Sequence, residues 1–215
     1  MSSNKLKVAV LISGSGSNLQ VLIDRIHDES LTVEIAAVIS NKADAYGLQR
    51  AELAGIPTAV VDNKAYSNRE SYDNALQVVI DQYQPQLVVL AGFMRILTES
   101  FVNHYEGRML NIHPSLLPNY RGLNTHQRAI DDKARIHGVS VHFVTPELDG
   151  GPVIAQSQVI VKEKDSAKSL AARVQKAEHE LYPRVINWIA LGRLKLTNNE
   201  LFFDNKKLSK PIISD

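Results

Sequence analysis

The sequence predicts an α/β protein with a mostly parallel sheet of about seven strands and helices on both faces, and three observations carry that expectation. Apolar runs of strand length alternate with segments whose apolar residues recur every three or four positions, the pattern of strands joined by crossover helices. Some runs are apolar at consecutive positions, as at Val88, Val89 and Leu90, which fits strands covered on both sides. A glycine turn, "LISGSGSNLQ", joins the first run to the first helical segment in the Rossmann-like manner.

Taken in order, the pairs are "KVAVLI" then "NLQVLIDRIHD", "VEIAAVIS" then "AYGLQRAELAG", "TAVV" then "RESYDNALQVVIDQY", and "LVVL" then "TESFVNHY". After "MLNI" the alternation loosens into a proline-rich loop, a short helix near "THQRAI", a strand in "GVSVHFV", the loop "TPELDGG" and a strand in "PVIAQSQVIV", where hairpin-like or mixed pairing is expected. From Ser166 a helix presents Leu170, Val174, Ala177, Leu181, Val185 and Trp188 as one apolar stripe, and Pro183 should bend it. The last residues read as a short hairpin turning at "TNNE" followed by a polar tail that frays.

At 215 residues, with 44% hydrophobic and 22% charged, the chain suits one soluble globular domain over 1–215. The apolar run near the amino terminus is interrupted by Lys7 and passes straight into the glycine turn, which suits a first strand better than a signal peptide, so the cytoplasm is the expected location. The absence of cysteine excludes disulfides, thiolate metal sites and thiol catalysis. A net charge of +1 gives no basic field for nucleic acid or a membrane surface, leaving small molecules as the expected partners. Nothing in the sequence specifies an oligomeric state.

Gly14 and Gly16 stand where backbone amides and a helix dipole can hold a phosphate, with Ser17 or Asn18 expected to cap the helix. Leu19 replaces the third glycine of the dinucleotide fingerprint, and Ser40, Asn41 and Lys42 stand where an acidic residue would bind a ribose diol. A monophosphate site is the preferred reading, and a plain strand-to-helix turn the alternative.

"RMLNIHPSLLPNY", residues 108–120, places an amide, an imidazole and a hydroxyl within five positions and pins them with two prolines. If "MLNIH" is extended, Asn111 and His113 project to one side, and Pro114 favours that conformation. An amide N–H beside an imidazole suits acyl transfer: one stabilises a developing oxyanion and the other exchanges a proton. Asp149, in "ELDGG", is the candidate carboxylate for orienting the imidazole. A buried, hydrogen-bonded structural histidine is the alternative for His113. Histidines 27, 104, 126, 137, 142 and 179 read as structural or surface, with His126 the one that could line the same cleft. In "GFMRIL", Met94, Ile96 and Leu97 read as an apolar slot and Arg95 as an anion contact, against plain packing at the start of the next helix. No G-x-S-x-G elbow or metal motif is present.

"LISGSGSNLQ", "SNKADAYGLQRA", "VVLAGFMRIL", "LNIHPSLLP" and "HFVTPELDGGPVIAQ", in this order over most of the chain, closely resemble the folate-dependent formyltransferase family, and within it the enzymes acting on glycinamide ribonucleotide in purine synthesis. The resemblance implies the formyltransferase fold and transfer of a formyl group from 10-formyltetrahydrofolate, as co-substrate, to the amine of glycinamide ribonucleotide, with no metal. It implies a nucleotide-binding half over about 1–105, a catalytic and folate half over about 106–195, and a tail over 196–215. The catalytic trio would be Asn111, His113 and Asp149. Gly16, Ser17 and Asn18 would take the phosphate, and Gln175, Lys176, Ala177 and Glu178 the rest of the ribonucleotide, Glu178 on its hydroxyls. Folate would meet Arg69, Met94, Arg95, Ile96, Leu97, Asn111, Thr145, Pro146, Glu147, Leu148 and Asp149. Pro146 lacks an N–H, so it removes one backbone donor from that loop. A formyltetrahydrofolate hydrolase, a tRNA-formylating relative and a non-catalytic nucleotide sensor are the alternatives. The short tail and near-zero charge weigh against tRNA, and a sensor has no need of the trio.

Overall fold

A computed structural model describes residues 5–214, so the first four residues of the amino-terminal reading lie outside the described residues. The sheet has eight strands, in keeping with the about seven expected. The chain divides into two compact units, one ending at Leu110 and the other beginning at Asn111.

In the first unit, β1 (Leu6–Ile12) pairs in parallel with β2 (Val33–Ser40) and with β4 (Leu87–Leu90), and β2 pairs in parallel with β3 (Thr58–Val60). Val8 to Ile12 are buried without interruption, as are Leu87 to Leu90, which is why these strands carry no alternation. The connections are helical: α1 (Ser17–His27), α2 (Tyr46–Leu53) and α3 (Arg69–Gln82). Asn68 caps α3 by accepting the Ser71 N–H at 2.8 Å, and Thr98 caps α4 (Glu99–His104). Residues 91–98 are not helical, so "GFMRIL" is a loop rather than the start of a helix.

α1 corrects one expectation. Neither Ser17 nor Asn18 is the cap, because Ser17 is already the first helical residue and Gly16 holds the cap position at φ 68° with no side-chain cap bond. Glycine is required there twice over. A left-handed φ penalises a side chain, and a Cβ on Gly16 would meet the Gly47 backbone at 2.7 Å. That close approach is held by the Gly47 N–H donating to the Gly14 carbonyl at 3.0 Å.

The second unit opens within β5 (Met109–His113). It continues through α5 (Thr125–Asp131), β6 (Ile136–Phe143), β7 (Val153–Ile160) and α6 (Ala167–Ala190). β6 and β7 pair antiparallel, the mixed pairing expected after "MLNI". Ser166 and Ser169 form a reciprocal cap on α6 at 3.0 and 3.2 Å, satisfying N–H groups that the first turn leaves open. Leu170, Val174, Leu181 and Val185 of the expected stripe are buried, joined by Tyr182 and Ile186. α6 continues as one helix through Pro183. Its ring removes a single N–H, and the buried residues around it supply the packing that keeps the helix whole.

β8 (Leu194–Thr197) and β9 (Glu200–Phe203) form the expected hairpin, with Asn198 and Asn199 both at positive φ, the conformation two-residue hairpin turns need. β10 (Lys206–Lys207) extends it. The frayed tail is the second correction: β11 (Ile212–Ser214) pairs in parallel with β7, and the Arg184 guanidinium donates to the Ser214 hydroxyl at 2.5 Å. Backbone pairing outweighs the tail's polar composition. No helix among the described residues is long and apolar enough to cross a membrane.

Candidate active site

In the second unit, β5 delivers Asn111 half-buried and His113 buried, two positions apart as strand geometry requires. Beyond His113 the chain turns sharply. The Ser115 N–H donates to the His113 carbonyl at 2.8 Å, the Ser115 hydroxyl to the Asn119 carbonyl at 2.5 Å, and the Leu117–Pro118 bond is cis. The Ser140 hydroxyl of β6 accepts the Leu117 N–H at 3.0 Å and donates to the Ser115 carbonyl at 2.6 Å, and Gln156 of β7 donates to both the Leu117 carbonyl and Ser140. Ser115 therefore ties down the shelf that holds His113, and the prolines work with a buried polar network.

Asp149 reaches the same place from the β6–β7 loop. Its side chain and that of His113 are each 8% exposed, and its Oδ2 lies 3.5 Å from His113 Nδ1. The same oxygen accepts the Gly122 N–H at 2.8 Å. The loop closes this tightly because Gly151 has no side chain: a Cβ there would lie 1.9 Å from the Phe143 carbonyl oxygen. The opposite ring nitrogen of His113, Nε2, donates to the Tyr120 carbonyl at 2.9 Å. Both nitrogens of His113 thus face acceptor oxygens.

His142, placed by sequence among the structural or surface histidines, belongs to this cluster. Its Nε2 lies 3.1 Å from Asn111 Nδ2 and 3.9 Å from Asp149 Oδ1. Burial pushes its pKa down, against the opposing pull of the Phe143 carbonyl and Asp149, so the ring is neutral. Nδ1 donates to the Phe143 carbonyl at 2.8 Å, which leaves Nε2 as an acceptor for Asn111. Sequence carried no local signal for this, because the contact runs between strands. A bulge at Val141–His142, with Ile154 as the extra residue of β7, also changes the local twist there.

A second pair of histidines lies beside His113. His137 Nε2 is 3.2 Å from His126 Nδ1, and the His137 ring meets Tyr120 edge-on. Burial, then the His126 and His113 charges, push His137 from its ordinary 6.5 down to about 4, and burial and His113 push His126 down as well. The unfolded chain therefore binds more protons than the folded one between about pH 6.5 and about pH 4, so stability falls as pH is lowered through that window and levels off below it. Thermal unfolding of wild type should be more acid-sensitive between pH 7 and 5 than that of His137→Phe, and equal slopes would refute the assignment.

Among the described residues no group of three or more histidine, cysteine, aspartate or glutamate side chains is arranged to hold a metal ion. Of the residues in this unit expected to meet folate, Leu148 is exposed and Glu147 forms an ion pair with Arg121. On α6, Gln175 and Lys176 are exposed while Ala177 and Glu178 are half-buried.

In the first unit, the Ser13 hydroxyl at the end of β1 donates to Asn41 Oδ1 at 2.6 Å and accepts the Met94 N–H at 2.8 Å, pinning the 91–98 loop. Met94 and Ile96 are 67% and 56% exposed, an apolar surface that core packing does not explain. Arg95, expected as an anion contact, lays its guanidinium over the Tyr72 ring, 5.4 Å from its centre. Arg69 is exposed as the first residue of α3.

Residues 6–186 match the formyl transferase family. Phosphoribosylglycinamide formyltransferase of Escherichia coli is 54% identical over 94% of this chain and 96% of its own length. The human trifunctional purine biosynthetic protein adenosine-3 is 46% identical over 91% of this chain, which spans 19% of that protein. Among solved structures, the phosphoribosylglycinamide formyltransferase of Coxiella burnetii superposes with a TM-score of 0.94 at 50% identity, covering 99% of this chain and all of that one. A family match running from the first strand into α6, and taking in Asn111, His113 and Asp149 on the way, establishes that the chain belongs to the formyl transferase family.

Proposed function

We propose that the protein transfers the formyl group of 10-formyltetrahydrofolate to the amine of glycinamide ribonucleotide, yielding formylglycinamide ribonucleotide and tetrahydrofolate, in the cytoplasm. The observation that carries this reading is the convergence of Asn111, His113 and Asp149 in one buried cluster, in a chain so similar to enzymes of that name. The amine attacks the formyl carbon, and negative charge gathers on the formyl oxygen. Asn111 Nδ2 and His113 Nδ1 donate to it. The ammonium formed on attack gives its proton to the Asp149 carboxylate. As the bond from carbon to N10 breaks, that proton is returned to N10, so charge and atoms balance.

The nucleotide-binding half lies over about 1–105 and the catalytic and folate half over about 106–195. Gly16, Ser17 and Asn18 hold the phosphate at the N-terminus of α1, and Gln175, Lys176, Ala177 and Glu178 hold the ribose side. Folate rests on Met94, Arg95, Ile96, Leu97 and Asn111 and on Thr145, Pro146, Glu147, Leu148 and Asp149, with Arg69 near its outer end. The exposed apolar side chains of Met94, Ile96 and Leu148 support this. No metal takes part.

The test is a spectrophotometric assay with a formylated folate analogue, with and without glycinamide ribonucleotide. Absorbance should change only when the amine is present. Change without it would make the protein a formyltetrahydrofolate hydrolase, and nucleotide binding without any turnover would make it a sensor.

A further inference from the structure

His113 ends β5 and Asp149 lies in the β6–β7 loop, yet one three-residue turn holds both. The Tyr120 carbonyl accepts the His113 Nε2–H at 2.9 Å, and the Gly122 N–H donates to Asp149 Oδ2 at 2.8 Å. Tyr120 and Gly122 both sit at positive φ, 55° and 78°. For tyrosine that conformation is costly, so the surrounding structure has to hold the turn in place. Arg128, exposed on α5, supplies much of that hold. Its guanidinium donates to the Arg121 carbonyl, at the middle of the turn, at 2.7 Å. It also lies over the Tyr120 ring, 5.4 Å from its centre, where a cation is attracted to the ring face. Burial, and then the Asp132 carboxylate just past the end of α5, push the pKa of the Tyr120 hydroxyl up. On the other side, Arg121 is ion-paired to Glu147, in the loop that carries Asp149.

We infer that Arg128 is a positioning residue for the formyl transfer proposed above, acting through the Tyr120–Gly122 turn to set the imidazole of His113 and the carboxylate of Asp149 against each other. The inference rests on that reading of the function. The contacts of Arg128 run to the Arg121 and Leu123 carbonyls and the Tyr120 ring, so it acts through the turn. With Nε2 committed to Tyr120, the ring keeps one orientation and offers Nδ1 as the working nitrogen, in the way that a second hydrogen bond fixes a catalytic imidazole. Loosening the turn frees both groups at once, so the cost falls on turnover rather than on substrate binding.

The experiment compares wild type, Arg128→Ala and Arg128→Lys by thermal unfolding, by kcat and both KM values across pH, and by the nitrogen–proton NMR signal of His113. Arg128→Ala should keep its Tm near that of wild type and lose about tenfold in kcat, a fraction of the about hundredfold that an ångström of misplacement can cost. KM should hardly move, the kcat–pH profile should shift, and the His113 Nε2 proton signal should broaden or vanish. Arg128→Lys should restore most of the rate, since an ammonium can donate to the same carbonyl. Unchanged kcat, pH profile and His113 signal in Arg128→Ala would overturn the inference, as would a loss of Tm with normal turnover by the folded fraction. Should wild type fail to formylate glycinamide ribonucleotide, the proposed function falls, while the His113 signal still decides whether Arg128 holds the turn.

Discussion

Asp149→Asn should lower formyl transfer by about a thousandfold, the middle of the range for loss of a general acid–base group, while leaving the protein folded. The fold should survive because asparagine is isosteric and tolerates the left-handed backbone that Asp149 adopts at φ 48°. Its amide oxygen can still accept the Gly122 N–H now held at 2.8 Å. What disappears is the negative charge 3.5 Å from His113 Nδ1 and 3.9 Å from His142 Nε2. Without it the attacking amine has nowhere close to leave its proton, and the charged form of the imidazole loses its partner. Substrate affinity should change little, because the neutral amide fills the same space. The measurement is kcat and KM of both proteins at matched Tm. A variant within tenfold of the wild-type rate would remove Asp149 from the chemistry.

Local rules made the frame and the trio legible. Strand and helix alternation was readable because the first-unit strands are buried on both sides, as Val8 to Ile12 are, and buried strands write unbroken apolar runs. Asn111 and His113 were readable together because a strand's alternation places residues two apart on one side. Asp149 was a candidate from its loop alone, and its approach to His113 depends on the space that Gly151 leaves beside Phe143. The partners that orient the trio are non-local and left no such trace. His142 meets Asn111 across 31 residues, and the Tyr120 carbonyl and Gly122 N–H are backbone atoms whose positions no side-chain pattern encodes. The Gly16 cap was missed for a related reason: Ser17 has the usual capping chemistry, yet the close approach of α2 at Gly47 decides where the helix starts. A strand of three residues such as β11 is too short to show periodicity, so its pairing with β7 became visible only in the fold.

Asn111→Ala should cost about a hundredfold to a thousandfold in kcat, the usual loss when one oxyanion donor is removed, and its dependence on His142 makes the prediction sharper than a single substitution. An asparagine amide can present either its oxygen or its nitrogen to a substrate, and only the nitrogen stabilises negative charge. His142 settles which. Burial keeps its ring neutral, the Phe143 carbonyl claims the proton on Nδ1 at 2.8 Å, and the bare Nε2 therefore draws the Asn111 amide nitrogen to 3.1 Å. One N–H of Asn111 is spent on His142 and the second remains for the formyl oxygen. His142→Phe keeps the ring's bulk and removes the acceptor, so the amide can rotate and present its oxygen to the developing charge, and kcat should fall although Asn111 is intact. If His142 acts through Asn111, the double variant should be no slower than Asn111→Ala alone, a strongly non-additive cycle. Independent, additive losses would mean that His142 contributes by another route, and an Asn111→Ala protein that folds and turns over at the wild-type rate would remove the amide from the oxyanion site.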